Sequence, residues 1–469
     1  MKSKTLWGLV IGALGFAAPF VLELPGLTFS GSLSLSIFLL AAIFWILEPI
    51  PIYATSLGVI LLQSLLLSQQ GILAHALPDG TAPPYQHYLG NLAHPIIMLF
   101  LGGFSLASAA VKYGLDKSLT RALLKPFGDS PSRVCLGLML CTATLSAFMS
   151  NTATTAMMMT VVLPIAGSLA KEDRFRIGIA LAIPVAANIG GMATPIGTPP
   201  NAVALAALRE QGIALTFTSW MALAAPFAII LLLISWRSLI SVFKPRIERF
   251  EIRLDSQFNR SPKAIAFYAI FAVTLTLWIT EKLHGIPTGL VALIPIAALP
   301  AFSILDRADI RGFSWEVLWL VAGGISLGVS MKDTGLAAWL VGLVSWDAFS
   351  GIALIIAFGL VGYTLSNLIS NTVAITILMP LVLSVALASG NTTVAAIASV
   401  VVAIAVIVNS AMLLPISTPP NAIAMSSGMI ATKDLAKVGA IVGFSGIFLA
   451  LLFSQTYWPY LLNSLLENV

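Results

Sequence analysis

From Ala348 to Thr432 the chain has no Asp, Glu, Lys, Arg or His. A water-soluble domain cannot carry so long an uncharged run, because soluble surfaces are covered largely by those residues. A second such gap runs from Val134 to Ala170. The remainder of the 469 residues agrees: 58% are apolar and 9% charged, with a mean hydropathy of +0.98. Soluble domains carry about 25% charged residues. The composition therefore excludes an ordinary soluble enzyme, a disordered chain and a nucleic-acid binder. It leaves a multi-pass membrane protein. The apolar runs are continuous rather than alternating, so the spans are helices and not barrel strands.

The formal net charge of +5 comes from 24 Lys and Arg against 19 Asp and Glu. These charges lie in short loops, where Lys and Arg mark the cytoplasmic side. Cys135 and Cys141 share one apolar run with no zinc or disulfide spacing, so both read as packing residues. Lys2 and Lys4 precede the first apolar run, and no small-residue cleavage site is evident. That segment reads as a retained membrane helix starting inside.

A span needs about 20 apolar residues. Runs 134–149 and 153–170 are shorter and are separated by a few polar residues, as are 349–365 and 373–389. Two further pairs are split by Pro- and Gly-bearing breaks at 190–200 and 414–420. Read as two re-entrant hairpins and two broken helices, these leave eleven full crossings in the sequence. With the N-terminus inside, 21 Lys and Arg fall on the cytoplasmic side and 3 outside (Arg209, Lys282 and Lys332), which accounts for all 24. The expected organisation is an N-terminal membrane helix in 1–32, a first inverted repeat over 33–243, a cytoplasmic linker over 244–263 and a second repeat over 264–469. The first repeat holds a hairpin at 131–170 and a broken helix at 176–210; the second holds a hairpin at 348–390 and a broken helix at 394–430. The linker is equally compatible with a surface amphipathic helix and with a solvated loop. The fold class is an all-α polytopic membrane protein in the cell inner (plasma) membrane, N-terminus cytoplasmic and C-terminus outside.

The repeat rests on residues. Ser146-Ala-Phe-Met-Ser150-Asn151-Thr152 matches Ser366-Asn-Leu-Ile-Ser370-Asn371-Thr372, and Thr198-Pro199-Pro200-Asn201-Ala202 matches Thr418-Pro419-Pro420-Asn421-Ala422. Ser150 precedes Thr198 by 48 positions, and Ser370 precedes Thr418 by the same 48. Gly102-Gly103 and Gly323-Gly324 recur at offset 221, as do Gly114-Leu115 and Gly335-Leu336. Trp45 leads Glu48 by three, and Trp278 leads Glu281 by three. Five crossings separate Ser36 from Thr276 on this reading, an odd number, so the second half is inverted in the membrane. Inverted repeats bring their broken elements together near the bilayer midplane.

A Ser-Asn-Thr turn sets three polar side chains at a depth where they must find partners. It also frees N–H groups at one helix start and C=O groups at another helix end. The first, with the positive end of a helix dipole, attract anions; the second, with side-chain oxygens, suit a hard cation such as sodium. The Thr-Pro-Pro-Asn break opens the facing helix, since Pro removes an N–H and clashes with the preceding turn. Alone, either turn would more often be structural; the duplicated spacing points to a ligand. With no Asp, Glu, Lys, Arg or His from Val134 to Ala170 or from Ala348 to Thr432, sodium coupling is expected over proton coupling. The glycine pairs read as close-packing contacts, Met157-Met158-Met159 as core, and Glu48 and Glu281 as interface anchors or caps. His94 and His284 fall at predicted helix ends. Ser150 to Pro164 is 14 positions and Ser370 to Pro380 is 10, so the hairpins are expected to differ by about a turn.

Paired Ser-Asn-Thr tips followed by Thr-Pro-Pro-Asn breaks resemble the divalent anion:sodium symporters, and Leu-Pro-Ile-Ser-Thr-Pro-Pro-Asn-Ala at 414–422 is the most specific piece. The resemblance spans roughly 35 to 460. It implies eleven helices and two hairpins, a scaffold and a mobile domain working as an elevator, and a homodimer. It places a first sodium site at Ser146, Ser150, Asn151 and the backbone of Gly197. A second would use Ser366, Asn371 and the backbone near Ile369 and Ser417. Substrate carboxylates would lie between Ser150-Asn151-Thr152 and Ser370-Asn371-Thr372, edged by Thr198, Pro199, Thr418 and Pro419. The expected function is sodium-coupled import of C4-dicarboxylates such as succinate, malate or fumarate, with no enzymatic activity and no nucleic-acid partner. The alternatives are a sodium-independent dicarboxylate, citrate or sulfate exchanger and, more distantly, an ion channel with re-entrant loops.

Overall fold

The computed structural model describes residues 3–22, 24–77, 82–170, 172–249, 258–343, 350–389 and 393–466. Those residues form helices and connecting turns, with no strand among them. The helices that bear on the site and its frame are α1 (Ser3–Val21), α2 (Phe29–Leu47), α3 (Ile52–Leu66), α4 (Pro95–Lys112), α5 (Pro131–Phe148), α6 (Asn151–Ser168), α7 (Phe175–Gly191), α8 (Pro199–Glu210), α9 (Phe217–Val242) and α10 (Pro262–Ile279). There follow α11 (Thr288–Ala301), α12 (Trp315–Asp333), α13 (Leu336–Gly342), α14 (Gly351–Leu368), α15 (Asn371–Ala388), α16 (Val394–Asn409), α17 (Pro419–Ser426), α18 (Thr432–Gln455) and α19 (Tyr457–Leu466). Among the described residues, 8 helices are long and apolar enough to cross a membrane, and shorter apolar helices accompany them. Residues 244–249 and 258–261 of the linker are not helical; the stretch 250–257, on which its helical reading depends, lies outside the described residues.

Two packed bodies carry the architecture. In one, α5 and α6 lie on α7, α14 and α15 lie on α16, α9 packs on α7 and α18, and α17 crosses α6 and α7. In the other, α12 packs on α3, α2 on α3, and α4 and α10 on α11. Apolar burial between helices supplies no drive in lipid, so small residues and polar contacts hold this second body. An ideal Cβ on Gly102 would meet Ala292 O at 2.9 Å, and one on Gly323 would meet Ser56 Cα at 2.8 Å. Gln63 Nε2 donates to Ser330 Oγ at 2.8 Å and Ser326 Oγ donates to Gln63 Oε1 at 2.5 Å, tying α3 to α12. The second glycine of each pair faces the other body: Gly103 meets Ile196, and Gly324 meets Thr376 of α15. The glycine pairs are packing residues, as their spacing suggested. Met158 and Met159 are core residues at 0% and 3% exposure.

The repeat is visible in equivalent contacts. Trp45 Nε1 reaches forward over the Glu48 turn to Ile52 O at 3.3 Å, and Trp278 Nε1 reaches over Glu281 to Thr288 O at 3.1 Å. Glu48 caps α2 in the left-handed region (φ 49°). All four hairpin arms, α5, α6, α14 and α15, are 18 residues long. The expected one-turn difference between the hairpins is therefore wrong. Pro164 and Pro380 sit at different levels inside arms of equal length, so proline position did not report arm length. The open end of the first hairpin meets the C-terminal part of α9, where Trp236 Nε1 donates to Ser132 O at 2.9 Å. The open end of the second, Leu387 and Ala388, shares a cavity with Glu210 and Gln211, just before α9 begins. α9 has 26 residues, roughly 39 Å, and the two open ends lie toward its opposite ends.

Candidate substrate and cation site

Both hairpin tips and both breaks line one cavity of about 260 Å³. Ser150, Asn151, Thr152, Thr198, Pro199, Ser370, Asn371, Thr372, Thr418 and Pro419 all border it, as do Gly197 and Ser417. The opposite wall is Ile52, Phe100, Phe104, Ser314, Glu316, Val317 and Leu320, from the second body. Ser146 and Ser366, both 0% exposed, stand one layer back behind the asparagines. Ile369 is the C-cap of α14, partly buried and outside the cavity wall.

Each tip is built the same way. Ser150 is the N-cap of α6, its Oγ accepting from Ala153 N at 3.1 Å; Ser370 caps α15 and accepts from Val373 N at 3.2 Å. Ser and Thr suit this position because their oxygen meets an N–H the helix leaves free. Behind each tip a serine bridges to the adjoining broken helix. Ser146 Oγ lies 2.6 Å from Asn151 Oδ1 and 2.8 Å from Ala187 O. Ser366 Oγ lies 2.5 Å from Asn371 Oδ1 and 3.0 Å from Val408 O.

Around Asn151 the oxygens crowd together. Its Oδ1 faces only acceptors; turned over, Nδ2 would donate to Ser146 Oγ at 2.6 Å, Gly197 O at 3.0 Å and Ala187 O at 3.3 Å. In that orientation the amide ties the hairpin tip to the break through three hydrogen bonds, and the Gly197 and Ala187 carbonyls and the Ser146 hydroxyl are oxygens of the kind a hard cation takes. An ideal Cβ on Gly191 would meet Asn151 Oδ1 at 2.4 Å, and one on Gly197 would meet Gly191 O at 2.4 Å. Only glycine lets break and tip approach this closely.

The breaks are held open by asparagine. Asn201 Nδ2 donates to the carbonyls of Gly191, Met192 and Thr194 at 3.0, 3.1 and 2.8 Å. Asn421 Nδ2 does the same for Met412 and Leu414, both at 3.1 Å. Thr198 and Thr418 are extended caps (φ −152° and −143°), and Pro at the first helical position restarts α8 and α17. The two breaks are also stitched to each other. Asn409 Nδ2 donates to Asn201 Oδ1 at 3.0 Å and Asn409 Oδ1 accepts from Thr198 Oγ1 at 3.3 Å. Reciprocally, Asn188 Nδ2 donates to Thr418 Oγ1 at 3.1 Å and to Asn421 Oδ1 at 3.3 Å. Asn367 adds a brace, accepting from Leu413 N at 2.8 Å.

Electrostatically, α6, α8, α15 and α17 all begin at the cavity. Each helix start carries on the order of half a positive charge. Among the described residues no Lys or Arg lines the cavity, and Glu316, an exposed residue at its mouth, is the one ionisable lining residue. An anion held here is held by amides, hydroxyls and helix ends. Asn188, Asn367 and Asn409, and the wall formed by Phe100, Phe104 and Glu316, were not singled out from sequence. The one available signal was Asn188 to Asn409, separated by the same 221 positions as the glycine pairs.

The model of the sodium:sulfate symporter transmembrane region matches residues 3–464, almost the whole described chain. The chain belongs to that family. Among curated members, it is 31% identical to the sodium-dependent dicarboxylate transporter SdcS of Staphylococcus aureus over 501 aligned positions, covering 98% of this chain and 92% of that protein, in strains USA300 and N315 alike. This sodium:sulfate symporter family member is thus a multi-pass membrane transporter and not an enzyme. Among solved structures, MtrF of Neisseria gonorrhoeae is similar with a TM-score of 0.54 at 11% identity, covering 86% of this chain and 94% of that one. The YdaH transporter of Alcanivorax borkumensis gives 0.50 at 12%, covering 80% and 88%. At those identities the likeness is one of fold.

Proposed function

We propose that the protein is a sodium-coupled importer of C4-dicarboxylates such as succinate, malate and fumarate, working by alternating access. One observation carries the reading. A single cavity collects two Ser-Asn-Thr tips, two Thr-Pro-Pro-Asn breaks and four helix starts, without a basic side chain. Two carboxylates a few carbons apart match tips contributed by two repeats. Lacking a fixed counter-charge, the site needs mobile cations to hold a dianion. In this reading sodium binds beside it, at Ser146, Ser150, Asn151 and the Gly197 backbone and at Ser366, Asn371 and the backbone near Ile369 and Ser417, with the Ser146–Asn151 and Ser366–Asn371 contacts in support. The likeness to SdcS, named a sodium-dependent dicarboxylate transporter, supports the same substrate class.

In this reading the hairpins are re-entrant, the repeats are inverted and eleven segments cross the membrane, N-terminus inside and C-terminus outside. The ion pairs agree with that topology. Lys112 with Asp306 and Asp309, Arg174 with Asp434, and Arg249 with Asp129 join groups placed inside, whereas His87 with Asp333 and His94 with Glu210 join groups placed outside. The cavity reaches the end where α12 begins, at Ser314 and Glu316, so it faces the cytoplasm. The hairpin body is the mobile part, the α2–α4 and α10–α12 body the stationary frame, and the frame of a second copy completes a homodimer.

The test is uptake of labelled succinate into proteoliposomes. An inward sodium gradient should drive accumulation that potassium does not, with unlabelled malate and fumarate competing better than citrate or sulfate. Equal uptake in sodium and potassium, dependent on anion loaded inside, would replace symport by exchange.

A further inference from the structure

The geometry points to a latch on the face opposite the open cavity, made by Glu210, His94 and Lys332, which holds that face shut in the present state and parts when the site turns toward it. The inference rests on the alternating-access reading above. Glu210 is the last residue of α8, whose other end carries Thr198 and Pro199 into the cavity. The helix is therefore a short rod joining the site to the far face. An acid at a helix C-terminus opposes the macrodipole, so local helix energetics disfavour it there. Its partners lie in the other body. His94 is 8% exposed; its Nδ1 accepts from Ile96 N at 3.2 Å, capping α4. That bond leaves Nε2 as the N–H, and Nε2 lies 3.3 Å from Glu210 Oε1. Lys332, in the last turn of α12, donates from Nζ to the main-chain oxygen of Glu210 at 2.9 Å. Because α8 packs on α15 and α16 of the hairpin body, one residue of that body is thus gripped through side chain and backbone by two helices of the frame. The end of α12 is itself fixed, since Asp333 pairs with His87 at 2.9 Å.

The repeat supplies the contrast. Ser314 is the cap residue of α12 as His94 is of α4, and Ser314 lines the open cavity. Leu320, 221 positions after Leu99, also lines it, while Leu99 is 2% exposed behind the closed face. When the closed face opens, Leu99 takes the place of Leu320, and Glu210 must leave His94 and Lys332.

The experiment places one reporter cysteine at a time in the full-length transporter, Val317→Cys in the cavity, labelled in inside-out membrane vesicles, or Leu99→Cys behind the latch, labelled in right-side-out vesicles. Labelling rates with a membrane-impermeant thiol reagent are compared for the wild-type background, Glu210→Gln and His94→Gln. Native Cys135 and Cys141 are buried. Each latch variant should raise labelling at Leu99→Cys severalfold and lower it at Val317→Cys. A misfolded variant would expose both, so a rise at both sites overturns the latch, as does an unchanged rate at both. If sodium with succinate moves neither reporter in the wild-type background, alternating access falls and the latch with it. If they respond there but the variants match that background, the latch alone is wrong.

Discussion

Asn151 and Asn371 each touch two functions, since the same side chain borders the cavity and leans on the serine behind it. Asn151→Ala or Asn371→Ala should abolish sodium-stimulated uptake while folded protein remains in the membrane. Uptake near the wild-type level in both would end the assignment. Thr152 and Thr372 face the cavity without that backing, so their alanine variants should weaken substrate more than sodium. A lost hydrogen bond to a charged group is worth roughly 1.5–3 kcal/mol, about tenfold or more in apparent succinate affinity, measurable from uptake at saturating sodium. The Ser-Asn-Thr and Thr-Pro-Pro-Asn residues were legible because they recur at one spacing. Asn188 and Asn409 were not, because a lone asparagine in an apolar run reads equally well as a contact between neighbouring helices. Only coordinates reveal that each spans to the other repeat.

Helix bounds followed the sequence closely where Pro, Gly and capping residues mark them. Within the span 131–170 given to the first hairpin, helices run Pro131–Phe148 and Asn151–Ser168, and within 176–210 the chain turns between α7 and α8. Arm length failed because Pro inside an arm disturbs one turn without ending it when neighbouring helices support the freed carbonyl. The glycine pairs divide by element. Gly102 abuts the backbone of Ala292 within its own body, whereas Gly103 faces the Ile196 side chain at 3.2 Å. Gly102→Ala should therefore cost roughly 1–3 kcal/mol through overpacking and lower the thermal midpoint in detergent. Gly103→Ala, against a side chain that can shift by tenths of an ångström, should leave that midpoint nearly unchanged and slow uptake. Equal midpoint losses in the two would show that both glycines serve only packing.

At the scale of the molecule, the two bodies touch where α12 meets α15. An ideal Cβ on Gly324 lies 3.4 Å from Thr376 Cβ, close to the spacing a disulfide spans, about 3.5–4.5 Å. Gly324→Cys with Thr376→Cys should form that bond on oxidation, arrest succinate uptake, and release it on addition of dithiothreitol. Uptake that continues with the bond formed, scored by gel mobility after cleavage between the two sites, would mean that these bodies do not move past one another. The cavity itself could not be read from sequence on the frame side. Phe100, Phe104 and Val317 are ordinary apolar residues whose place in the wall depends on how the bodies are offset, a relation no local pattern encodes.

The reciprocal amide stitch has a consequence for biosynthesis. Thr198 and Asn201 are translated some two hundred residues before Asn409, and until it arrives Thr198 Oγ1 and Asn201 Oδ1 lack the partner it supplies. A ribosome-released fragment ending near residue 243 should hold an unfinished kink and be prey to quality-control proteolysis, and supplying the missing half as a separate polypeptide should rescue it.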